Sequence, residues 1–289
     1  MIIDGKGLSN QLDSGMKAEV KALRAAGIEP KLVVIIVGHD PASQIYVRNK
    51  HRKAIKLGIT SIIERRPEDF SQADLLALIE QYNQDESVHG ILVQLPLPKQ
   101  IDESAVIRAI DLKKDVDGFS PENVGKLFSN SDEHYSVSCT PKGIMTMLTH
   151  YDIDPADKHA VIVGDSNIVG RPMGALLLNA GATVTYTHIL TQDLSSYTRT
   201  ADILIVATGV AHLIKATDIK PGATVIDVGM NRDENGKLVG DVDYDHANTV
   251  AGAITPVPGG VGPMTITSLM QQTLELTKLA NRKILETVR

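Results

Sequence analysis

The nine residues Gly164-Asp165-Ser166-Asn167-Ile168-Val169-Gly170-Arg171-Pro172 follow an apolar strand-like run and open a helical stretch. A loop of this kind aims backbone N–H groups and a helix dipole at a phosphate. It departs from the G-x-G-x-x-G pattern, because Ser166 holds the second glycine position and the last glycine comes one residue late. A glycine-rich connection without a ligand is the alternative. Dinucleotide folds ordinarily carry an acid at the end of the next strand to bind the ribose. Here that strand ends at His188-Ile189, and the nearest acid is Asp165, inside the glycine loop. An anion there repels a 2′-phosphate and accepts from a 2′-hydroxyl, which on electrostatics alone favours NAD over NADP.

Tyr46 and Lys50 form a second constellation. At i, i+4 they share a helix face, so a planar ring and an ammonium project together. That pair suits a flat polar ligand. An amphipathic helix with solvated bases (Arg48, Lys50, Arg52, Lys53, Lys56) is the plainer explanation, and on the residues alone the better one. In Val93-Gln94-Leu95-Pro96-Leu97-Pro98, Gln94 is a polar residue at the rim of an apolar strand whose exit the prolines stiffen. Lys114-Asp115-Val116-Asp117-Gly118-Phe119 contains Asp-Gly, a frequent turn pair. Thr255-Pro256-Val257-Pro258-Gly259-Gly260-Val261-Gly262-Pro263-Met264-Thr265 has three glycines and three prolines in eleven residues, a loop that backbone or ligand can approach closely.

Other chemistries are poorly supplied. The histidines lack metal-ligand spacing. Asp241, Asp243 and Asp245 imitate the start of a calcium loop, but His246 and Gly252 stand where glycine and a bidentate glutamate are needed. No nucleophile elbow or Walker motif is present.

These residues need elements to hold them. Apolar periodicity alternates between strand and helix, as in βαβ units. Strands are expected at Lys31–Val37, Ile59–Glu64, Val88–Leu95, His159–Val163, Thr183–His188, Ala201–Ala207 and Thr224–Val228. Helices are expected over residues 42–57, 72–82, 102–110, 142–150, 172–179 and 264–279. The pattern weakens between Asp111 and Thr140, where a hinge is placed. The expected fold is α/β: two α/β domains with a cleft between them, the second a Rossmann-like doubly wound parallel sheet. Residues 1–138 make the first, with a C-terminal helix of about 266–289 packing back on it, and 139–265 the second.

At 289 residues the chain has length for about two domains. A hydrophobic fraction of 43% supplies a core, so disorder is excluded as the dominant state. With 29 basic against 35 acidic residues, no Trp and 3% aromatics, nucleic acid is not an expected partner. One cysteine, Cys139, excludes an internal disulfide. No apolar run suits a membrane span and no signal-peptide pattern is present, so a cytoplasmic protein without a membrane partner is expected.

The blocks VGHDPASQIYVRNKHRKAIKLGI (37–59), VQLPLP (93–98), KDVDGF (114–119), CTPKG (139–143), IVGDSNIVGRPM (162–173), DVGMNR (227–232) and TPVPGGVGPMT (255–265) closely resemble the bifunctional methylenetetrahydrofolate dehydrogenase/cyclohydrolase family. They occur in the family's order and span nearly the whole chain. The resemblance implies oxidation of 5,10-methylenetetrahydrofolate to the 5,10-methenyl cation by a nicotinamide, then hydration to 10-formyltetrahydrofolate, in one-carbon metabolism. It implies that Lys50 is the catalytic lysine, Tyr46 the stacking ring, Gln94 the glutamine beside the lysine and Asp117 the carboxylate at the pterin edge. Pro258, Gly259 and Gly260 would line the folate site. Gly164, Asp165, Ser166, Ile189 and Met230 would meet the nucleotide, and the chain would be a homodimer without a metal.

A lysine serves as a base only if partly neutral; otherwise Lys50 positions water and the ring nitrogens. The family's usual cofactor is NADP. Asp165 stands where many members carry a basic or small residue, and Ile189 where they carry Ser or Arg, so NAD remains open beside NADP. The competing readings are a silent dinucleotide-binding module and a shikimate- or amino-acid-dehydrogenase-like oxidoreductase on the same scaffold.

Overall fold

The computed structural model describes residues 1–287 of the chain. In chain order the elements are α1 (Gly5–Ala25), β1 (Lys31–Val37), α2 (Pro41–Leu57), β2 (Thr60–Arg66), α3 (Gln72–Gln84), β3 (Gly90–Val93), α4 (Glu103–Ala109), α5 (Pro121–Phe128) and α6 (Cys139–His150). There follow β4 (His159–Val163), α7 (Gly170–Asn179), β5 (Thr183–Thr187), α8 (Leu194–Thr198), β6 (Ile203–Val206), β7 (Thr224–Asp227), β8 (Asn231–Arg232), β9 (Leu238–Val239), α9 (Tyr244–Ala247), β10 (Ala253–Ile254), α10 (Val261–Ala280) and α11 (Arg282–Thr287).

Two compact units emerge. One comprises Met1–Gln11, Leu127–Asp132 and Ser138–Thr265; the other comprises Leu12–Lys126, Glu133–Val137 and the chain from Ile266 onward. Residues 1–11 therefore lie outside the unit that a 1–138 boundary assigns them to. The cause is main-chain pairing: the Ile3 N–H donates to the Ile254 carbonyl at 2.8 Å, and the terminal ammonium to that of Gly252 at 2.6 Å.

The unit that contains Lys50 has a three-stranded parallel sheet in the order β2-β1-β3. β1 is central, with Lys31 opposite Thr60 and Leu32 opposite Gly90. Leu32 to Val37 are all buried, as a continuous apolar run in a parallel sheet requires. Each such side chain contributes roughly 1.5–3 kcal/mol by burial. β3 is shorter than the run 88–95 suggests, because Val88 turns back onto the Asp85 carbonyl. Gln94 still donates its N–H to the Ile35 carbonyl at 2.8 Å, which holds it at the strand's exit.

α1 has no counterpart among the expected elements. Its first turn holds no acid, and glycines at 5, 7 and 15 dilute the helical signal. Met16, Val20 and Leu23 are nonetheless buried at helical spacing. Within the stretch read as a hinge, α5 is a short helix opened by Pro121.

The unit that contains the glycine loop has a five-stranded parallel sheet, β10-β7-β6-β4-β5. The chain leaves β4 for β5 on one side and then crosses to β6 on the other, so the winding reverses at β4. Open sheets of this type bind ligands at the carboxyl ends of strands beside such a reversal. The loops after β4 (Gly164 onward) and β6 (Thr208 onward) emerge at that point.

Candidate active site and nucleotide loop

α2 shows why the Tyr46–Lys50 face has the geometry it does. Asp40 caps the helix by accepting from the Ser43 N–H at 2.7 Å, Pro41 occupies the first turn, and Gly58 closes it with φ 87°. The buried positions are Ser43, Val47, Lys50, Ala54 and Leu57, a strict helical stripe. Lys50 falls in the middle of that stripe and is only 6% exposed. The plain expectation of a solvated base fails for it, although it describes Arg48, Arg52 and Lys56 on the outer face. Lys50 shares the phase of Val47 and Ala54, whereas Lys53, the other base that is not on the outer face, is 12% exposed and ion-paired with Asp13.

The Lys50 ammonium donates to the Gln94 side-chain oxygen at 3.1 Å and lies 5.2 Å from the centre of the Tyr46 ring. The Gln94 amide nitrogen donates to the Leu95 carbonyl at 2.7 Å, which fixes the oxygen toward the lysine. A cation near an aromatic face and a carbonyl dipole is a held charge in a poorly hydrated place.

Asp117 sits in a turn built by its neighbour. The Asp115 carboxylate is buried and accepts from the Gly118 N–H, the Ser120 N–H and the Asn123 side-chain nitrogen, each at 2.9 Å. Gly118 has φ 67°, and a Cβ there would stand 2.6 Å from the Val137 carbonyl carbon, so only glycine fits. From α10 the fully buried Gln272 donates to the carbonyls of Val116 at 2.6 Å and Val137 at 2.8 Å and accepts from the Val137 N–H at 3.0 Å. Asp117 and Leu95 line one recess with Ile91, Ile107 and Phe119. Asp115 and Gln272 brace the Asp117 turn, and the sequence reading singled out neither; the first lies in a turn motif, the second in an ordinary helical run.

In the other unit, Gly164 leaves β4 with φ 112° and its N–H donates to the Thr187 carbonyl of β5 at 2.9 Å. A Cβ at Gly164 would meet the Ala207 oxygen at 2.2 Å, and one at Gly170 the Gly164 oxygen at 1.9 Å. The glycines therefore fold the loop onto itself. The Ser166 hydroxyl accepts from the Val169 and Gly170 N–H groups at 3.2 and 3.4 Å. Among the described residues no acceptor takes the N–H groups of Ser166, Asn167 or Ile168. A loop whose backbone donors lack protein acceptors, just before a helix start, fits a dinucleotide phosphate. Asp165 is paired with Arg171, whose guanidinium lies 3.4 Å from its carboxylate. Ile189 is 98% exposed beyond β5.

Met230 is half exposed just after a buried carboxylate pair. Asp227 accepts from the N–H groups of Gly229, Asp241 and Val242, each at 2.9 Å. Burial nevertheless pushes its pKa up to about 6. Asp241 accepts from the Thr208 N–H at 2.6 Å, the Thr208 hydroxyl and Gly209 N–H at 2.9 Å, and the Asn231 side chain at 2.8 Å. The residue that imitated a calcium ligand is thus a scaffold for two loops.

In the Pro258–Gly260 segment, Gly259 has φ 109° and its carbonyl accepts from the Lys6 N–H at 2.8 Å, while the Gly260 N–H closes onto the Pro256 carbonyl at 2.9 Å. Among the described residues no group of three or more His, Cys, Asp or Glu could hold a metal, and no helix is long and apolar enough to cross a membrane.

Residues 3–117 match the catalytic domain of tetrahydrofolate dehydrogenase/cyclohydrolase, and residues 138–281 its NAD(P)-binding domain. The chain is 62% identical to the bifunctional protein FolD of Lactiplantibacillus plantarum over 277 residues, 96% of this chain and 97% of that one. The crystal structure of the bifunctional FolD of Campylobacter jejuni superposes with a TM-score of 0.95 at 49% identity, covering 96% of this chain and 99% of that one. The Trypanosoma brucei enzyme, crystallised with NADP cofactor and an inhibitor, gives 0.93 at 37% identity over 98% of each chain. Two matched domains in sequence order, and likeness over nearly the full length, leave no room for the silent-module or shikimate-type readings: the chain belongs to the tetrahydrofolate dehydrogenase/cyclohydrolase family.

Proposed function

We propose that the desolvated Lys50–Gln94–Tyr46 group is the place where this bifunctional dehydrogenase and cyclohydrolase does its chemistry. The enzyme oxidises 5,10-methylenetetrahydrofolate with NADP and hydrolyses the methenyl product to 10-formyltetrahydrofolate. When bound, the nicotinamide supplies the hydride acceptor. The carbon that loses hydride lies between two nitrogens, so the product is a delocalised cation and no strong base is needed. In the second step water adds to that carbon with release of one proton, and the bond to N5 opens as the remaining hydroxyl proton passes to N5, leaving the formyl group on N10.

Tyr46 offers its ring as a plate for the pterin. Asp117 accepts from the N–H edge of the same ring system, and Pro258, Gly259 and Gly260 line the substrate. Lys50, held by the Gln94 oxygen, handles the proton and orients the water beside N5 and N10. Residues 12–126 with the C-terminal helix form the folate-binding part. Gly164, Asp165, Ser166, Ile189 and Met230 border the nucleotide. The protein acts as a cytoplasmic homodimer, which light scattering checks by mass.

The observation that carries this reading is a lysine only 6% exposed whose ammonium ends on a fixed amide oxygen. Burying an ammonium without a chemical use is costly, and such groups concentrate at functional sites. The decisive experiment incubates purified protein with methylenetetrahydrofolate and NADP or NAD, following reduced cofactor and loss of the methenyl absorbance. Reduction without subsequent hydration, or neither, overturns the proposal.

A further inference from the structure

We propose that Lys114 is a positioning residue for the folate: its ammonium pins the chain that carries Asp117 to the end of α3 and so holds Asp117 in register beside β3. The proposal rests on the reading that Asp117 accepts from the pterin edge. α3 ends at Gln84 without a basic residue in its last turn. The last carbonyls of a helix have no partner within it. Lys114 supplies the donor from beyond α4. Its Nζ donates to the carbonyls of Tyr82 at 2.8 Å, Asn83 at 2.7 Å and Asp85 at 2.8 Å. An ammonium has three protons to donate, and a cation is favoured at a helix C-terminus. With all three spent on main chain, Lys114 can act on the folate only through the segment it holds.

The main chain of Lys114 is fixed as well. Its N–H donates to the Asp111 carbonyl at 2.7 Å, and its carbonyl accepts from the Ile91 N–H of β3 at 2.8 Å. Asn83 adds a second tie to α3: its amide nitrogen donates to the Ala109 carbonyl at 2.7 Å and its oxygen accepts from the Asp111 N–H at 3.0 Å. The next residue, Asp115, forms an isolated parallel bridge with Ile91. Two residues further along each chain stand Val93 and Asp117, and both line the same recess. Gly90 permits the close approach, because a Cβ there would collide with the Val116 side chain.

A single bridge is a weak ruler. A slip of one residue turns a strand side chain to the opposite face, which would take the Asp117 carboxylate out of the recess. Lys114, immediately before the bridge, opposes that slip, and the Gln272 bond to the Val116 carbonyl holds the chain after it.

Steady-state kinetics of the full-length enzyme with Lys114→Met and Asp117→Asn, alone and together, tests this. Lys114→Met should raise the folate KM about fivefold or more with kcat within about twofold, the pattern for binding lost equally before and during hydride transfer. In the Asp117→Asn background the same substitution should raise KM by less than about twofold, because the residue through which it acts is already disabled. Lys114→Arg, which keeps the charge and the donors, should recover most of the wild-type KM. Lys114→Gln is the milder second variant if the methionine enzyme does not fold, and it should show the same dependence on Asp117 at reduced size. A merely structural lysine would give the same factor in both backgrounds and move the NADP KM too; that result overturns the proposal, as does a wild-type folate KM in Lys114→Met. An Asp117→Asn enzyme with the wild-type folate KM overturns the reading of Asp117 and the proposal with it, a distinct result because it needs no change at Lys114.

Discussion

Lys50 sits inside an apolar stripe of α2, with its ammonium held by Gln94, whereas Asp165 and Arg171 meet across the surface of a loop in water. The first arrangement suits bond making, because a group that handles a proton must be oriented and shielded before the substrate arrives. The second suits recognition of an exchangeable nucleotide, because exposed charges can swap partners at little cost. Elsewhere in each unit, buried carboxylates or amides brace loops: Asp115 and Gln272 hold the Asp117 turn, and Asp227 and Asp241 hold the Thr208 and Met230 loops.

The sharpest way to break this contrast is Lys50→Ala. Hydration of the methenyl compound should fall by about 10²–10⁴-fold, the range for a positioned proton-handling group. Nucleotide affinity should stay as in the wild type. Wild-type hydration in the variant would remove Lys50 from the mechanism, and Lys50→Arg separates the roles, since a guanidinium keeps the charge but cannot serve as base.

Gln272→Leu comes next. It strands two carbonyls and one N–H around the Asp117 turn, so we expect a loss of stability of about 2–4 kcal/mol and a several-fold rise in folate KM. Chemical denaturation and steady-state kinetics read these separately. An unchanged KM would mean that the turn holds Asp117 without help from α10.

Asp227 gives a pH dependence. Its folded pKa of about 6 exceeds the ordinary 3.8, so the folded chain holds this proton more tightly than the unfolded one. Its contribution is full below about pH 4 and is lost as pH rises through 6, an amount on the order of 2–3 kcal/mol. Unfolding midpoints from pH 4 to 7 should show this decline in the wild type and not in Asp227→Asn. Parallel profiles would show that the carboxyl stays ionised throughout.

The smallest effect belongs to Ile189→Ala. With its side chain in water, folding stability should move by less than about 0.5 kcal/mol. A larger loss by thermal melting would mean that something covers it.

Much of the fold was legible in the residues. The run KLVVIIV could only be a strand buried on both faces, and Gly58 and Gly181 marked helix ends by their left-handed backbone. α1 was not legible, because its glycines and unsignalled start mask a helix that tertiary burial stabilises. The glycine loop announced itself by type and place. Gln94 and Asp117 were visible as polar residues at a strand exit and in a turn, while the aspartates at 115, 227 and 241 read as turn or calcium-like residues.

The chain by itself determined the alternation of strands and helices and the phosphate-suited loop, since these follow from periodicity and backbone preference among near neighbours, whereas on the residues alone Lys50 read as a solvated base and its burial was decided by the fold. Only the tertiary structure decided that Gln94, 44 residues away, would end on that ammonium, that Gln272 would pin a turn 156 residues earlier, and that Arg171 would neutralise Asp165. The reason is that hydrogen bonds and ion pairs depend on distances of a few ångströms, which packing sets and sequence separation does not.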